Sequence, residues 1–180
     1  LLLENLLRWT RNQNGKTKIY ATLFNLTPVA RQVVSLFSAI ANAKEIELIN
    51  RIEGKFDIFA DEDMIKTVLR NLISNAIKFT YTGGQVELSL ADSGDYWTIY
   101  VKDNGKGIPK DLQTHLLKSD EYITTYGTHN EKGSGLGLIL CRDFIRMNKG
   151  KLHFCSQEGI GTTFYFTIPK ASSSAKAASR

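Results

Sequence analysis

The sequence lacks the features that would tie it to a membrane, a disulfide framework or a nucleic-acid groove. No apolar run approaches the roughly 20 residues needed to cross a bilayer, so no segment of this chain reads as a membrane helix. Only two cysteines occur, Cys141 and Cys155, each in an otherwise apolar segment. They are expected as reduced core thiols and not as a disulfide framework or metal site, which fits a cytoplasmic compartment. The histidines number three, His115, His129 and His153. None sits on a long amphipathic helix followed by an acidic residue. No leader peptide is visible, and a helical pattern is already under way at Leu1, so sequence upstream is expected. The net charge is +5, yet lysines, arginines and carboxylates are interspersed. Without a dense basic stripe and interleaved aromatics, nucleic acid is not the expected partner.

What is there suits one compact domain with ragged ends: 180 residues, 42% of them hydrophobic. Residues 1–12 carry an apolar stripe at three- and four-residue steps and read as the end of a helix. Residues 18–24 read as a strand. A helix follows, with Thr27 as its cap, Pro28 in the first turn, and Val29, Val33, Leu36, Phe37 and Ile40 as its core face. Short strands are expected at 47–52 and 56–59 around Gly54. Asp61 caps a helix to Phe79, with Glu62 and Asp63 where the helix dipole favours them. Alternation predicts strands at 86–90 and 97–101, joined by a turn at 92–95. Pro109 starts a short helix. Residues 117–134 have no clean period and read as a long binding loop or lid. A helix over 136–147 stops at Asn148-Lys149-Gly150. A strand pair closes the pattern at 151–156 and 162–168. The expected fold is α+β, a two-layer sandwich in which one mixed sheet is covered on one face by about three helices.

Four constellations carry chemistry. Asn71, Asn75 and Lys78 fall within an arc of roughly 60° on one helix, opposite Ile65, Leu69, Leu72, Ile73 and Ala76. Two amides and an ammonium can hold a metal ion and a phosphate, although a solvated helix face would look the same. Next comes Asp103-Asn104-Gly105-Lys106-Gly107-Ile108. Period two puts Asp103 on the apolar face shared by Trp97, Ile99 and Val101. A carboxylate there needs a partner, and a purine amino group is a suitable donor. Gly105 and Gly107 would let a flat base approach the backbone. A simple Asp-Asn-Gly turn is the plainer alternative. The third is Lys132-Gly133-Ser134-Gly135-Leu136-Gly137, glycine-rich and leading into a helix, where backbone N–H groups attract phosphate. It is neither a dinucleotide fingerprint nor a Walker loop, since no strand precedes it and Lys132 stands before the glycines. The fourth is Gly159-Ile160-Gly161-Thr162 at the last hairpin, where Thr162 could face a pocket.

In this order the motifs resemble the catalytic domain of sensor histidine kinases, within the larger group that includes DNA gyrase, MutL and the heat-shock chaperone ATPases. The resemblance spans about residues 19–169. It implies ATP and Mg²⁺ as cofactors, with Asn75 the metal ligand, Asn71 beside it and Lys78 on phosphate. It places Phe79 near the adenine, Asp103 on its amino group, Gly105, Gly107 and Ile108 at the pocket floor, and Thr162 as a second adenine contact. Lys132, Gly133, Ser134, Gly135, Leu136 and Gly137 would form the ATP lid over the phosphates. Asn71, Asn75 and Lys78 would be the catalytic set. The Phe-rich motif common between the Asp-x-Gly-x-Gly box and the lid is replaced here by Leu116-Leu117-Lys118-Ser119 and Tyr122.

Residues 1–15 are then expected as the end of a dimerisation and phosphoacceptor hairpin, 16–170 as the ATP-binding domain, and 171–180 as a tail or linker. The acceptor histidine would lie outside this chain. Partners implied are that hairpin and a response-regulator receiver domain, with no direct membrane contact in this part of a parent protein that is itself expected to be membrane-anchored. The expected function is transfer of the ATP γ-phosphate to the hairpin histidine. The alternatives are a regulatory nucleotide-binding module without catalysis, and an ATPase that activates water. Such ATPases carry a glutamate base four residues before the metal-binding asparagine. Here that position is Asn71, which takes up no proton near neutral pH.

Overall fold

A computed structural model describes residues 18–116, 127–129 and 136–171. In chain order the elements are β1 (Thr22–Asn25), α1 (Leu26–Ala43), β2 (Glu47–Asn50), β3 (Asp57–Ala60), α2 (Glu62–Phe79), β4 (Gln85–Ser93), β5 (Tyr96–Asp103), α3 (Lys110–Gln113), α4 (Gly137–Met147), β6 (Leu152–Gln157) and β7 (Gly161–Pro169). The expected helix at 1–12, most of the lid at 117–134 and nearly all of the tail lie outside the described residues.

Five strands make one mixed sheet in the order β2-β4-β5-β7-β6. The β2–β4 pair is parallel and the other pairs are antiparallel. A separate two-stranded ribbon pairs β1 with β3, and Ile58 bridges to Lys170 at the far end of β7. Alternation along the strands sends Val86, Leu88, Ile99, Val101, Phe164, Phe166 and Ile168 into the core beneath the helices, all of them buried. The alternate residues face away from the helices, where Tyr100, Tyr165 and His153 stack in a row. This is the two-layer α+β architecture anticipated above.

α2 is central: it packs against α1 on one side and α4 on the other, and it lies over β4 and β5. Its apolar stripe of Ile65, Val68, Leu69, Leu72, Ile73 and Ala76 is almost wholly removed from water. Its N-terminus is fixed by Asp61, whose Oδ1 accepts the Met64 N–H at 3.1 Å and whose Oδ2 accepts the Tyr20 N–H at 2.9 Å. The Asp61 N–H in turn donates to Asn148 Oδ1 at 2.7 Å, joining the start of α2 to the end of α4.

The structure corrects three local expectations. α1 begins one residue earlier than Thr27, and its cap is Asn25, whose Oδ1 accepts the N–H groups of Thr27 and Phe56, each at 3.1 Å. Burial of Leu26 draws the chain inward before Thr27 is reached, and the Thr27 hydroxyl instead donates to Gly54 O at 2.7 Å. Leu36 and Ile40 are 55% and 56% exposed and do not belong to the core face of α1. The buried residues of α1 are Leu26, Val29, Ala30, Val33, Phe37 and Ala41, and the helix packs against α2 and β2. Cys141 is buried in α4 as expected, but Cys155 is exposed, because it alternates with Phe154 and faces away from the helices.

Candidate functional site

The polar stripe of α2 runs along the side facing α4. Asn71, Asn75 and Lys78 are all half-buried there. The Asn71 amide donates to Thr67 O at 2.9 Å, which leaves its Oδ1 toward the start of α4. A Cβ placed on Gly137 would stand 3.0 Å from that oxygen, so the first residue of α4 and the amide of Asn71 are direct neighbours. The N-cap residue of α4, Leu136, makes no side-chain cap hydrogen bond of its own.

At its C-terminal end α2 meets three other segments. Lys44, buried at the end of α1, donates from Nζ to Ile77 O at 2.9 Å and Lys78 O at 3.0 Å. An ammonium suits the negative end of a helix. The Thr128 N–H donates to Lys78 O at 3.1 Å, and its hydroxyl reaches Thr80 O at 2.8 Å. The Lys106 N–H donates to Phe79 O at 3.0 Å. The Lys78 and Lys106 ammoniums stand 4.7 and 5.1 Å from the centre of the Phe79 ring.

That contact explains Gly105. A Cβ there would lie 2.1 Å from Phe79 O, a backbone atom that cannot give way. At Gly107 (φ +68°) a Cβ would meet Gln157 O at 2.1 Å, so a side chain is excluded by both conformation and space. The loop after β5 is therefore pressed between the end of α2 and the β6–β7 hairpin.

Asp103 closes β5 and is buried, 7% exposed. Its Oδ1 accepts the Gly105 N–H at 2.9 Å and the Thr162 N–H at 3.2 Å. Burial pushes its carboxyl up to about 6, against the opposing pull of those two N–H groups. Both donors act on Oδ1, and no donor to Oδ2 is found among the described residues. Strand register sets Thr162 directly opposite Asp103, and Ser156 directly opposite Thr162.

The structure thus brings together Asp103, Gly105, Gly107, Ile108 and Thr162 around one end of the sheet, with Phe79 and Lys78 against the same loop and Asn71 beside Gly137. Asn75 lies one turn beyond Asn71 on the same face, and Leu136 immediately precedes α4. Lys132, Gly133, Ser134 and Gly135 lie outside the described residues. Sequence reasoning placed Thr128 in the lid without its bonds to the end of α2, and missed Lys44 and Ser156. Ser156 left a signal, since period two from Leu152 and Phe154 puts it on the helix side of β6.

Comparison with known proteins fits this geometry. Residues 60–172 match the family model for histidine kinase-, DNA gyrase B- and HSP90-like ATPases. The adaptive-response sensory kinase SasA of Crocosphaera subtropica is 30% identical over 170 residues, covering 93% of this chain and 44% of that protein. The circadian input-output histidine kinase CikA of Synechococcus elongatus is 31% identical over 172 residues, covering 94% of this chain and 23% of that protein. The chain spans less than half the length of these curated relatives. Among solved structures, the catalytic domain of histidine kinase ThkA superposes with a TM-score of 0.71 at 32% identity, over 84% of this chain and 96% of that domain. Full-length ShkA in complex with AMPPNP superposes with a TM-score of 0.79 at 27% identity, over 94% of this chain and 35% of that one. The chain belongs to the histidine kinase-, DNA gyrase B- and HSP90-like ATPase family, and within it is an ATP-binding catalytic domain of the histidine kinase type.

Proposed function

We propose that this domain binds Mg-ATP between α2, α4 and the end of the sheet and transfers the γ-phosphate to a histidine on a helical hairpin. The observation that carries this is the buried carboxyl of Asp103, with Oδ1 held by two backbone N–H groups and Oδ2 left for an amino donor such as that of adenine. Gly105, Gly107, Ile108, Thr162 and Phe79 complete the base site, and Lys78 and the Leu136–Gly137 start of α4 face the phosphates. Lys132, Gly133, Ser134 and Gly135 belong to the lid in this reading.

The donor set also fits magnesium. Among the described residues no cluster of three or more His, Cys, Asp and Glu could hold a metal ion. A hard cation here would take the Asn75 amide oxygen, aided by Asn71, and complete its shell with phosphates and water. When bound, it neutralises phosphate charge. The chain's own contribution is positioning, the main requirement of phosphoryl transfer. Asn71 supplies no carboxylate to activate water, which supports a kinase over an ATPase.

The acceptor imidazole nitrogen would form the new P–N bond as the bond to the β-phosphate oxygen breaks and ADP leaves. The hairpin is assigned to residues 1–15 and the sequence before them, and residues 171–180 to a tail. ThkA has been solved in complex with the response regulator TrrA, and a receiver domain is the proposed onward partner here. No helix among the described residues is long and apolar enough to cross a membrane. Work on cytoplasmic ATP is the corresponding setting, with any membrane anchor elsewhere in the parent.

Calorimetric titration with ADP and a non-hydrolysable ATP analogue tests the reading. Asp103→Ala should abolish binding, and Asn75→Ala should weaken it chiefly when Mg²⁺ is present. Wild-type affinity in both variants would overturn the assignment.

A further inference from the structure

Between Asn104 and Ile108 the loop after β5 has room for one side chain only, that of Lys106. A Cβ on Gly105 would collide with Phe79 O, and one on Gly107 with Gln157 O. Lys106 itself is half-buried and held from both sides. Its N–H donates to Phe79 O at 3.0 Å, and its O accepts the Gly159 N–H at 2.7 Å. The backbone of Lys106 is thereby fixed between the end of α2 and the β6–β7 turn, and the four-carbon stem carries the charge from there. The roles given above to this loop fall to Asp103, Gly105, Gly107 and Ile108, and none to Lys106.

The Lys106 ammonium stands 5.1 Å from the centre of the Phe79 ring, and the Lys78 ammonium 4.7 Å from the same point. The two charges are thus at most about 10 Å apart. An aromatic ring attracts each cation, but the cations repel one another. An anion that reaches both relieves the repulsion. A polyphosphate is such an anion, since its charge is spread over several oxygens that ammoniums bind as point charges. Lys102 makes a useful contrast. It alternates with buried Val101 and Asp103, and is exposed on the sheet face away from the helices.

Resting on the ATP-site reading above, we infer that Lys106 is a second phosphate-binding cation: it joins Lys78 on the phosphates of the bound nucleotide, at the ring of Phe79 where the two ammoniums meet. In this arrangement the phosphates leave the base past Phe79. Lys106 then contributes to affinity for the charged part of the nucleotide, while Asp103 reads the base.

The test compares ADP with adenosine, which lacks the phosphates, on wild type, Lys106→Met, Lys106→Arg and Lys102→Met at one fixed Mg²⁺ concentration. ADP is titrated calorimetrically at low and high salt, and adenosine is followed by NMR shifts up to millimolar concentration. Lys106→Met should weaken ADP roughly tenfold, the lower end for one hydrogen bond to a charged group, and leave adenosine unchanged. The fall in ADP affinity with rising salt should become shallower in the same variant. Lys106→Arg, which keeps the charge, should restore most of the ADP affinity and the salt dependence. Lys102→Met removes the same charge at an exposed position and should change neither ligand.

Equal losses for ADP and adenosine in Lys106→Met would reduce Lys106 to a structural role and overturn the inference. An unchanged ADP affinity in Lys106→Met would do the same. So would a loss of equal size in Lys102→Met, which marks an effect of net charge alone. If Lys106→Met fails to fold, as judged by its melting transition, Lys106→Gln takes its place under the same criteria. Any of these outcomes in a protein whose wild type binds ADP refutes the Lys106 inference alone. Wild type that binds neither ADP nor adenosine refutes the ATP site itself.

Discussion

The Asp103 carboxyl accepts the backbone N–H of Thr162, 59 residues further along the chain, at 3.2 Å. This bond, with that from Gly105, holds a negative charge at the buried end of β5. Those two donors do not offset the loss of water, and the carboxyl titrates at about 6 instead of its ordinary 3.8. The group is therefore held at an energetic disadvantage when ionised, in the form that an amino donor requires.

The pH dependence follows with a definite sign. Between about pH 4 and pH 6 the folded state binds more protons than the unfolded chain, so the stability linked to Asp103 falls as pH rises through that window. The gap between 3.8 and about 6 corresponds to about 3 kcal/mol at neutral pH. Asp103→Asn keeps an Oδ1 acceptor for both N–H groups and removes the charge. It should melt several degrees above wild type at pH 7.5, with the difference vanishing near pH 4. ADP affinity should move the opposite way, falling in wild type as pH drops below about 6 and being lost in the variant at every pH. Melting curves and titrations across pH 4–8 check both arms.

Gly107 and Gly94 make a matched pair. Both have positive φ, +68° and +73°, but a Cβ on Gly107 would strike Gln157 O at 2.1 Å, whereas nothing lies within 4 Å of one on Gly94. Gly94→Ala should cost only the conformational strain of about 1–2 kcal/mol. Gly107→Ala adds a backbone collision, and should destabilise clearly more and impair ADP binding. Urea melts of the two variants decide it.

Asp61 does three things at the start of α2: its carboxyl accepts from Met64 and Tyr20, and its N–H donates to Asn148. Asp61→Ala removes the two carboxyl bonds and keeps the third. A loss of about 1–2 kcal/mol is expected, the upper part of the range for a helix cap. Asp61→Asn, which retains a cap acceptor, should recover most of it in the same denaturation assay.

The cysteines should separate cleanly toward a thiol reagent. Cys155 is exposed, while Cys141 is fully buried and burial pushes its thiol far up. One equivalent should react in the native protein and a second only after denaturation. Fast modification of Cys141 in native buffer would contradict the packing of α4 against α2.

Much of the site was legible because it rests on local periodicity. The 100° step of a helix set Asn71, Asn75 and Lys78 opposite Leu69, Leu72 and Ile73, and the buried set of α2 agrees. The two-residue step of a strand carried Asp103 to the core side of β5. Asp61 could be read as a cap because its acceptor lies within one turn of the N–H that it serves. Where the sequence misled, the deciding contact was distant. Leu36 and Ile40 follow the same helical step as their buried neighbours, but they stay more than half exposed where α1 packs against α2 and β2. Lys44 bonds carbonyls 33 and 34 residues away. The Asp103–Thr162–Ser156 row exists only because three strands pair in one register. Composition and periodicity determine which face avoids water in elements such as α2 and β5, whose stripes are unambiguous. Which faces meet, and so which hydroxyl stands beside the buried carboxylate, depends on long-range pairing that no local pattern encodes.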